Sequence, residues 1–255
     1  MTSAAATRPR VLLVDDDAAI RRLVDLALED LDVDLVCCAD GREALDAMRQ
    51  GPARLVITDL MMPGISGYAL LQQLADDPAL RGGARLAVFS AGLNAQAKER
   101  LAGLPVWRLI DKPTPVIALA DIVEAALQGD AVEPADADAP PHDAGATAVS
   151  AAAAIDAHFG GDAALYRAFL ASCLLQFPDD LRQGDAAVAA ADAPSLRRVA
   201  HSLKSVLLLV GEAEASDTAR RLEHAAEAAD WDACHGPWQA LAATLRRMTG
   251  DTPAT

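Results

Sequence analysis

Short apolar runs alternate with amphipathic segments over the first 128 residues. The runs VLLV, LVIT and LAVF are apolar throughout and β-prone, as is typical of strands covered on both faces. We predict strands at about 9–14, 33–38, 54–58, 85–89 and 106–110, and helices at about 17–30, 41–50, 66–76, 94–102 and 115–128. Five such repeats predict an α/β doubly wound, five-stranded parallel sheet of the flavodoxin-like kind.

The second half of the chain has a different pattern. Residues 151–250 contain no strand-like run and predict a separate all-α helical bundle. Its helices are expected at about 151–158, 162–190, 194–210, 213–229 and 231–248, and Pro178 is expected to kink or split the second of them. Residues 129–150 are rich in Ala, Asp and Pro and contain no basic residue, so we predict a disordered acidic linker between domains at 9–128 and 151–250.

Composition narrows the function classes. The net charge of −15 argues against a basic surface for nucleic acid. No apolar run approaches the roughly 20 residues that cross a bilayer, and the start MTSAAATRPR has no apolar signal region. None of the four cysteines forms a CxxC pair, so we expect a reducing cytoplasm. Cys234 beside His235 is only a weak indication of zinc, because a second ligand pair is missing.

Polar side chains follow four of the predicted strands. Because the carboxyl ends of parallel strands meet at one sheet edge, we expect them to lie together. The residues are Asp15 and Asp16 after the first strand, Asp59 after the third, Ser90 after the fourth, and Asp111 and Lys112 after the fifth. Clustered carboxylates repel one another and call for a hard cation, for which Mg2+ is the expected choice. Asp59 would then be a covalent phosphoryl acceptor, with Lys112 and the metal neutralising charge.

These residues lie in motifs that resemble those of response-regulator receiver domains: VLLVDDD, LVITDLMMPGISG, VFSA and IDKP. The resemblance implies a role for each residue. Asp15, Asp16, Asp59 and the backbone carbonyl of Met61 would hold the metal. Asp59 would become phosphoaspartate. Ser90 would turn its hydroxyl toward the phosphate, and Lys112 would balance the negative charge of the phosphate. It also implies a cis bond between Lys112 and Pro113.

Two positions depart from the receiver pattern. Leu109 stands where the family often has an aromatic residue that swings inward when the hydroxyl moves. We therefore expect a smaller conformational change on phosphorylation. Met61, two residues after Asp59, has a side chain that cannot orient an attacking water. We therefore expect slow self-hydrolysis of a phosphoryl-aspartate in this chain.

The segment AHSLKSVLLLVG carries a histidine on a predicted helix. The apolar residues there follow helical spacing and form one stripe: Leu196, Val199, Leu203, Val206, Leu207 and Val210. His201 falls opposite this stripe and is expected to be exposed, with Lys204, Ser205 and Leu208 on its side. Leu208 and Leu209 are expected on or near the wet face, where they would form a docking patch.

This segment resembles a histidine-phosphotransfer (Hpt) domain, and FGGDAALYRAFL and TARRLEHAAEAADW resemble its flanking helices. The resemblance implies that His201 is the phosphohistidine and that Lys204 aids the approach of phosphate. Ser205 stands where the family commonly has Gly, which could change the choice of partner.

Three hypotheses for function follow. In a two-component phosphorelay, a separate histidine kinase phosphorylates Asp59, and His201 relays phosphoryl groups to or from receiver domains; the direction and any transfer within the chain stay open. Alternatively, phosphorylation gates a helical domain that sequesters a partner. A metal-dependent phosphohydrolase on the same crevice is the third, but no general acid for its leaving group is evident. No glycine-rich nucleotide-binding segment is visible, so we do not expect a kinase.

Overall fold

The computed structural model describes residues 8–128 and 151–250, so the predicted linker at 129–150, with His142, lies outside the described residues. The chain divides into two compact units, an α/β unit in the first half and an all-helical unit in the second. Within the described ranges, no helix combines the length and the apolar character that crossing a membrane requires.

The α/β unit is built on a parallel five-stranded sheet in the order β2-β1-β3-β4-β5, which confirms the predicted fold class. The strands are β1 Arg10–Val14, β2 Asp34–Cys38, β3 Leu55–Thr58, β4 Arg85–Ser90 and β5 Val106–Asp111. The helices are α1 Ala18–Ala27, α2 Gly41–Gln50, α3 Gly67–Asp76, α4 Pro78–Arg81, α5 Ala95–Leu101 and α6 Val116–Gln128. Helix α4 was not predicted, because four residues are too few to show a period.

The register of the sheet brings the strand ends to one edge. Val14 at the end of β1 pairs with Thr58 at the end of β3, and Thr58 pairs in turn with Val88 of β4. Farther along, Ser90 pairs with Asp111 at the end of β5. The apolar runs of β1, β3 and β4 are buried on both faces, as their sequences predict. The polar residues that follow these strands therefore lie at the edge of a buried apolar core.

The helical unit consists of five helices in the described part of the chain: α7 Ala151–Phe159, α8 Ala163–Ala189, α9 Ala193–Leu209, α10 Ala213–Glu227 and α11 Trp231–Thr249. Asp162, Asp192 and Asp230 cap α8, α9 and α11, each accepting hydrogen bonds from backbone N–H groups of the first turn. The predicted stripe on α9 is buried at every position, which confirms that it faces the core.

Of the kink or split expected at Pro178, the split is wrong, and the kink stays a prediction. The helix runs unbroken through this residue. Pro178 is exposed, whereas Cys173, Phe177 and Leu181 on the flanking turns are buried. A proline removes a hydrogen bond from a helix, and packing on both sides of it holds the turns together.

Candidate functional site

Three carboxylates converge at the carboxyl edge of the sheet. Asp15, Asp16 and Asp59 each offer an oxygen, and these oxygens all lie within 4.8 Å of one another. The strand ladder positions them, because the Asp59 N–H donates to the Val14 carbonyl at 2.9 Å and the Asp15 N–H to the Cys38 carbonyl at 3.1 Å. Asp15 and Asp59 are buried, and Asp16 is half-buried. The sequence prediction that these side chains lie together is therefore confirmed.

Lys112 lies among these carboxylates. Its Nζ donates to Asp15 Oδ2 at 2.5 Å and to Asp59 Oδ2 at 2.7 Å, and its side chain is 4% exposed. Burial alone would lower the pKa of Lys112, but the charges and hydrogen bonds of Asp15 and Asp59 outweigh it and raise that pKa. Lys112 is thus a fixed positive charge at the site.

One ammonium does not balance three carboxylates. Burial, followed by repulsion from Asp59, raises the pKa of Asp16 to about 6. Burial also raises the pKa of Asp15. The attraction of Lys112 opposes this effect, repulsion from Asp59 and Asp17 adds to it, and the resulting pKa is about 7. With all groups ionised, three negative charges against one positive leave two in excess, which one divalent cation would balance. Carboxylate oxygens are also the ligands that Mg2+ prefers, so the residues present fit this ion.

The backbone around Asp59 is tightly packed. Asp59 Oδ1 accepts hydrogen bonds from the N–H groups of Leu60 at 2.5 Å and Met61 at 3.2 Å. A Cβ on Gly67, the first residue of α3, would lie 1.9 Å from the Asp59 carbonyl oxygen. Only glycine allows this approach, so α3 is packed directly against the backbone of Asp59.

The remaining residues of the receiver-like motifs lie beside these groups in the sheet. Ser90 is fully buried, and its Oγ has no hydrogen-bond partner among the described residues. An unpaired buried hydroxyl is costly unless a ligand binds it. The bond between Lys112 and Pro113 is cis, which confirms that expectation. Leu109 is half-buried against the core of the α/β unit.

A second polar cluster lies between α9 and α10 of the helical unit. His201 Nδ1 is 2.6 Å from Glu223 Oε1, and Lys204 Nζ donates to Glu223 Oε2 at 2.5 Å. Burial would raise the pKa of Glu223, but the hydrogen bond and charge of His201 and the charge of Lys204 outweigh it and lower that pKa to about 2. One ionised carboxylate therefore fixes both of the predicted site residues on α9.

Glu223 was missed by the sequence reasoning, although a signal was present. The buried face of α10 repeats as Ser216, Ala219, Glu223 and Ala226, a heptad spacing in which Glu223 takes a core position. A charged residue at such a position requires a partner on the neighbouring helix. Ser216 keeps the two helices in register, because its hydroxyl donates to the Lys204 carbonyl at 2.7 Å.

The expectation that His201 is exposed is wrong. Its side chain is 5% exposed, its Nε2 is buried, and this atom has no hydrogen-bond partner within the described residues. Ser205 and Leu209 are buried as well, and Leu208 is half-buried, so the expected leucine docking patch does not form as predicted. The physical reason is that α9 packs against α7, α8 and α10, which leaves less free surface than one apolar stripe implies.

The weak zinc indication gains no support from the geometry. Cys234 is fully buried in α11, whereas His235, the next residue, is exposed. Adjacent helical residues point in different directions, so they do not form a shared ligand pair.

Comparison with known families decides what the two units are. Residues 11–124 match the response regulator receiver domain, and residues 168–250 match the Hpt domain. The chain joins a receiver domain to an Hpt domain. Receiver and Hpt domains are modules of two-component signalling. Both domains are phosphoacceptor or phosphotransfer modules, and neither is a kinase domain.

The curated relatives share only part of their length with this chain. It is 39% identical over 67 residues to "Probable transcriptional regulator ycf27" of Porphyridium aerugineum, which covers 26% of this chain and 28% of that protein. It is 33% identical over 94 residues to "Sensor histidine kinase GacS" of Pseudomonas protegens, covering 37% of this chain and 10% of that protein. Among solved structures, chemotaxis protein CheY4 of Vibrio cholerae is 22% identical with a TM-score of 0.44, covering 47% of this chain and 98% of that one.

Proposed function

We propose that Asp59 accepts a phosphoryl group from the phosphohistidine of a separate sensor histidine kinase. In this step the phosphorus–nitrogen bond of the donor breaks, a phosphorus–oxygen bond to the Asp59 carboxylate forms, and the donor imidazole leaves with the bonding electron pair. The convergence of Asp15, Asp16, Asp59 and Lys112 supports the proposal most directly, because a carboxylate acts as an acceptor only where its own charge is offset.

A divalent metal belongs to this site in the proposal. Asp15, Asp16, Asp59 and the backbone carbonyl of Met61 would hold Mg2+, and when bound it would offset negative charge on the transferring group. The chain's own residues do the positioning. Lys112 provides a fixed cation within hydrogen-bond distance of Asp59, and the unpaired hydroxyl of Ser90 provides a donor for a phosphoryl oxygen.

We further propose that His201 is the second phosphoryl acceptor. Glu223 accepts a hydrogen bond from the Nδ1–H of His201 and thereby keeps the proton on Nδ1, which leaves the lone pair of Nε2 as the nucleophile. In transfer from a phosphoaspartate, Nε2 bonds to phosphorus and the aspartate carboxylate departs with the electron pair. The imidazole keeps its Nδ1 proton throughout, and Lys204 stabilises the phosphoryl group. Because Nε2 is buried, transfer requires this atom to become accessible to the partner receiver.

In these roles the partners of the protein would be a sensor histidine kinase and a receiver domain. The protein would act in the cytoplasm. They do not fix the direction of flow between Asp59 and His201. Sequestration of a partner by the helical domain depended on an exposed leucine patch around His201. Leu209 is buried there and Leu208 only half-exposed, so no observation favours that alternative.

A direct test is incubation of the full chain with a small acyl phosphate and Mg2+, followed by intact mass measurement. Wild type should gain a phosphoryl group, and Asp59→Asn should lose the gain made at the receiver. The exposed neighbour variant Asp111→Asn is the matched control and should behave as wild type. Equal phosphorylation of the Asp59→Asn variant would refute the role of Asp59.

A further inference from the structure

Buried polar atoms without hydrogen-bond partners occur at both proposed phosphoryl acceptors. In the receiver domain this atom is Ser90 Oγ, at the end of β4, which pairs with β3, the strand that Asp59 follows. In the Hpt domain two such atoms lie on α9, His201 Nε2 and Arg197 Nε. Buried polar atoms are nearly always paired, so unpaired ones in one region point to a ligand that supplies the missing partner.

Arg197 and His201 are separated by one helical turn. Residues four apart lie on the same helix face, with Cβ atoms about 5–6 Å apart. Side chains of an α-helix also lean toward its N-terminus, so the imidazole of His201 leans over the turn that carries Arg197. Lys204 occupies the turn on the other side of His201. The histidine is therefore flanked along α9 by one cation on each side.

Each of these cations is bound by a carboxylate of α10. Lys204 donates to Glu223, and Arg197 Nη2 lies 3.1 Å from Glu227 Oε1, one turn farther along α10. Glu227 engages the outer end of the guanidinium and leaves the Nε proton without an acceptor. The ion pair with Glu227 is exposed and therefore weak, and one buried donor of Arg197 remains available to a ligand.

From this arrangement we infer that Arg197 is a second phosphoryl-binding residue of the Hpt domain, donating its Nε proton to an oxygen of the phosphoryl group on His201 Nε2. The inference rests on the proposed role of His201. No covalent bond to Arg197 forms or breaks in the transfer. The guanidinium contributes a charge-assisted hydrogen bond as the phosphoryl group reaches Nε2. It would act for His201 as Ser90 acts for Asp59.

Four variants of the full chain test this inference with a phosphorylated receiver domain as the donor. Arg197→Gln should slow transfer to His201 by roughly tenfold or more, the effect typical of losing one charge-assisted hydrogen bond. Arg197→Lys keeps the charge but lacks the Nε donor and should recover only part of the rate. Glu227→Gln removes the ion pair but keeps the donor, so its rate should stay within about twofold of wild type.

Arg198→Gln is the matched neighbour control, because Arg198 donates to Ser195 on its own helix, and it should also retain the wild-type rate. The lifetime of phosphohistidine, measured in the same samples, should shorten for Arg197→Gln and not for Arg198→Gln. A merely structural role for Arg197 makes a different prediction: Glu227→Gln would then reproduce the loss seen with Arg197→Gln. That result, or wild-type transfer by Arg197→Gln, overturns the inference.

The proposed function is tested separately in this experiment. If wild type gains no label at His201, the role of His201 is wrong and the inference about Arg197 falls with it. If wild type is labelled and Arg197→Gln is labelled equally fast, only the inference about Arg197 is wrong. Thermal unfolding of Arg197→Gln and of Arg197→Lys, which retains the cation, establishes that the bundle is intact in the variants compared.

Discussion

Glu223 of α10 is paired with His201 of α9, with Oε1 and Nδ1 2.6 Å apart. The same carboxylate binds Lys204 through its other oxygen. A buried acid that serves a histidine and a lysine together does two things at once. It should stabilise the bundle, and in the proposed mechanism it keeps the lone pair on Nε2.

The stability of the Hpt domain should depend on Glu223 in a pH-dependent way. A folded-state pKa of about 2, against an unfolded value of 4.5, means that the ionised carboxylate contributes stability above pH 4.5 that is lost as the pH falls toward 2. Glu223→Gln should therefore lower the free energy of unfolding by about 2–3 kcal/mol at pH 7, and the difference from wild type should shrink in acid.

Urea unfolding at several pH values measures this difference. Glu227→Gln is the matched control on the same helix, and it should change stability little, because its side chain is 53% exposed and surface ion pairs contribute less than about 1 kcal/mol. A stability difference for Glu223→Gln that stays constant from pH 7 to pH 3 would contradict the assignment.

Mg2+ binding should require the acidic cluster. Replacing Asp15 or Asp59 by Asn removes a ligand, so calorimetric titration with Mg2+ should show affinity reduced by roughly tenfold or more for either variant. Asp111→Asn, which changes an exposed carboxylate at the end of β5, should bind like wild type. Removal of the metal with a chelator should stop phosphorylation of Asp59. Phosphorylation that continues at the same rate with chelator present would show that the metal is dispensable.

The phosphoryl-aspartate should be long-lived. Met61 follows Asp59 by two residues, and its thioether cannot orient a water for attack on phosphorus. We expect decay over minutes or longer in the receiver domain, and Met61→Asn, with a hydrogen-bonding side chain, should shorten the lifetime several-fold. Decay of the phosphorylated wild-type protein can be followed by intact mass. A half-life of only seconds would rule out this explanation.

The packing of α3 against Asp59 should be intolerant of any side chain at residue 67. A methyl group there would lie 1.9 Å from the Asp59 carbonyl oxygen and 2.8 Å from its carbon, both of which are backbone atoms that cannot move aside. Gly67→Ala should therefore destabilise the receiver domain by roughly 1–3 kcal/mol or more. Gly103→Ala has nothing within 4 Å and serves as the control. Equal melting temperatures for the two variants would be inconsistent with the described packing.

His201 should react slowly with a small acylating reagent. Its side chain is 5% exposed, whereas His224 and His235 are exposed on α10 and α11. Diethyl pyrocarbonate at neutral pH should modify His224 and His235 first, as peptide-resolved mass spectrometry can establish. Modification of His201 as fast as of the other two would mean that Nε2 is accessible without any rearrangement.

The sequence predicted well that the polar side chains of the receiver domain converge, because the information for it is local. Asp15, Asp59, Ser90 and Lys112 each follow an apolar run, and parallel strands necessarily bring such positions to one edge. Even the cis bond before Pro113 followed from a motif. Four-residue helix α4 is too short to show a helical period, although Asp77, Pro78 and Gly82 mark its two ends.

The second site was predicted only in part, because its geometry depends on packing between helices. The apolar stripe on α9 correctly identified the residues that face the core. The pattern of a single helix, however, cannot show that α9 packs against α7, α8 and α10, which bury His201. Glu223 lies 22 residues from His201 in sequence, and only the α9–α10 register brings the two together. Arg197 likewise gains its significance from an unpaired atom, which no sequence pattern reveals.

The measurement that tests the central claim most directly is peptide-resolved phosphorylation of the full chain in the presence of Mg2+ and a phosphorylated receiver domain. Wild type should carry an acid-labile, base-stable phosphoryl group on the peptide containing His201, and His201→Gln should carry none there. An absence of label on that peptide in wild type, or an undiminished label in His201→Gln, would contradict the assignment of His201 as a relay residue.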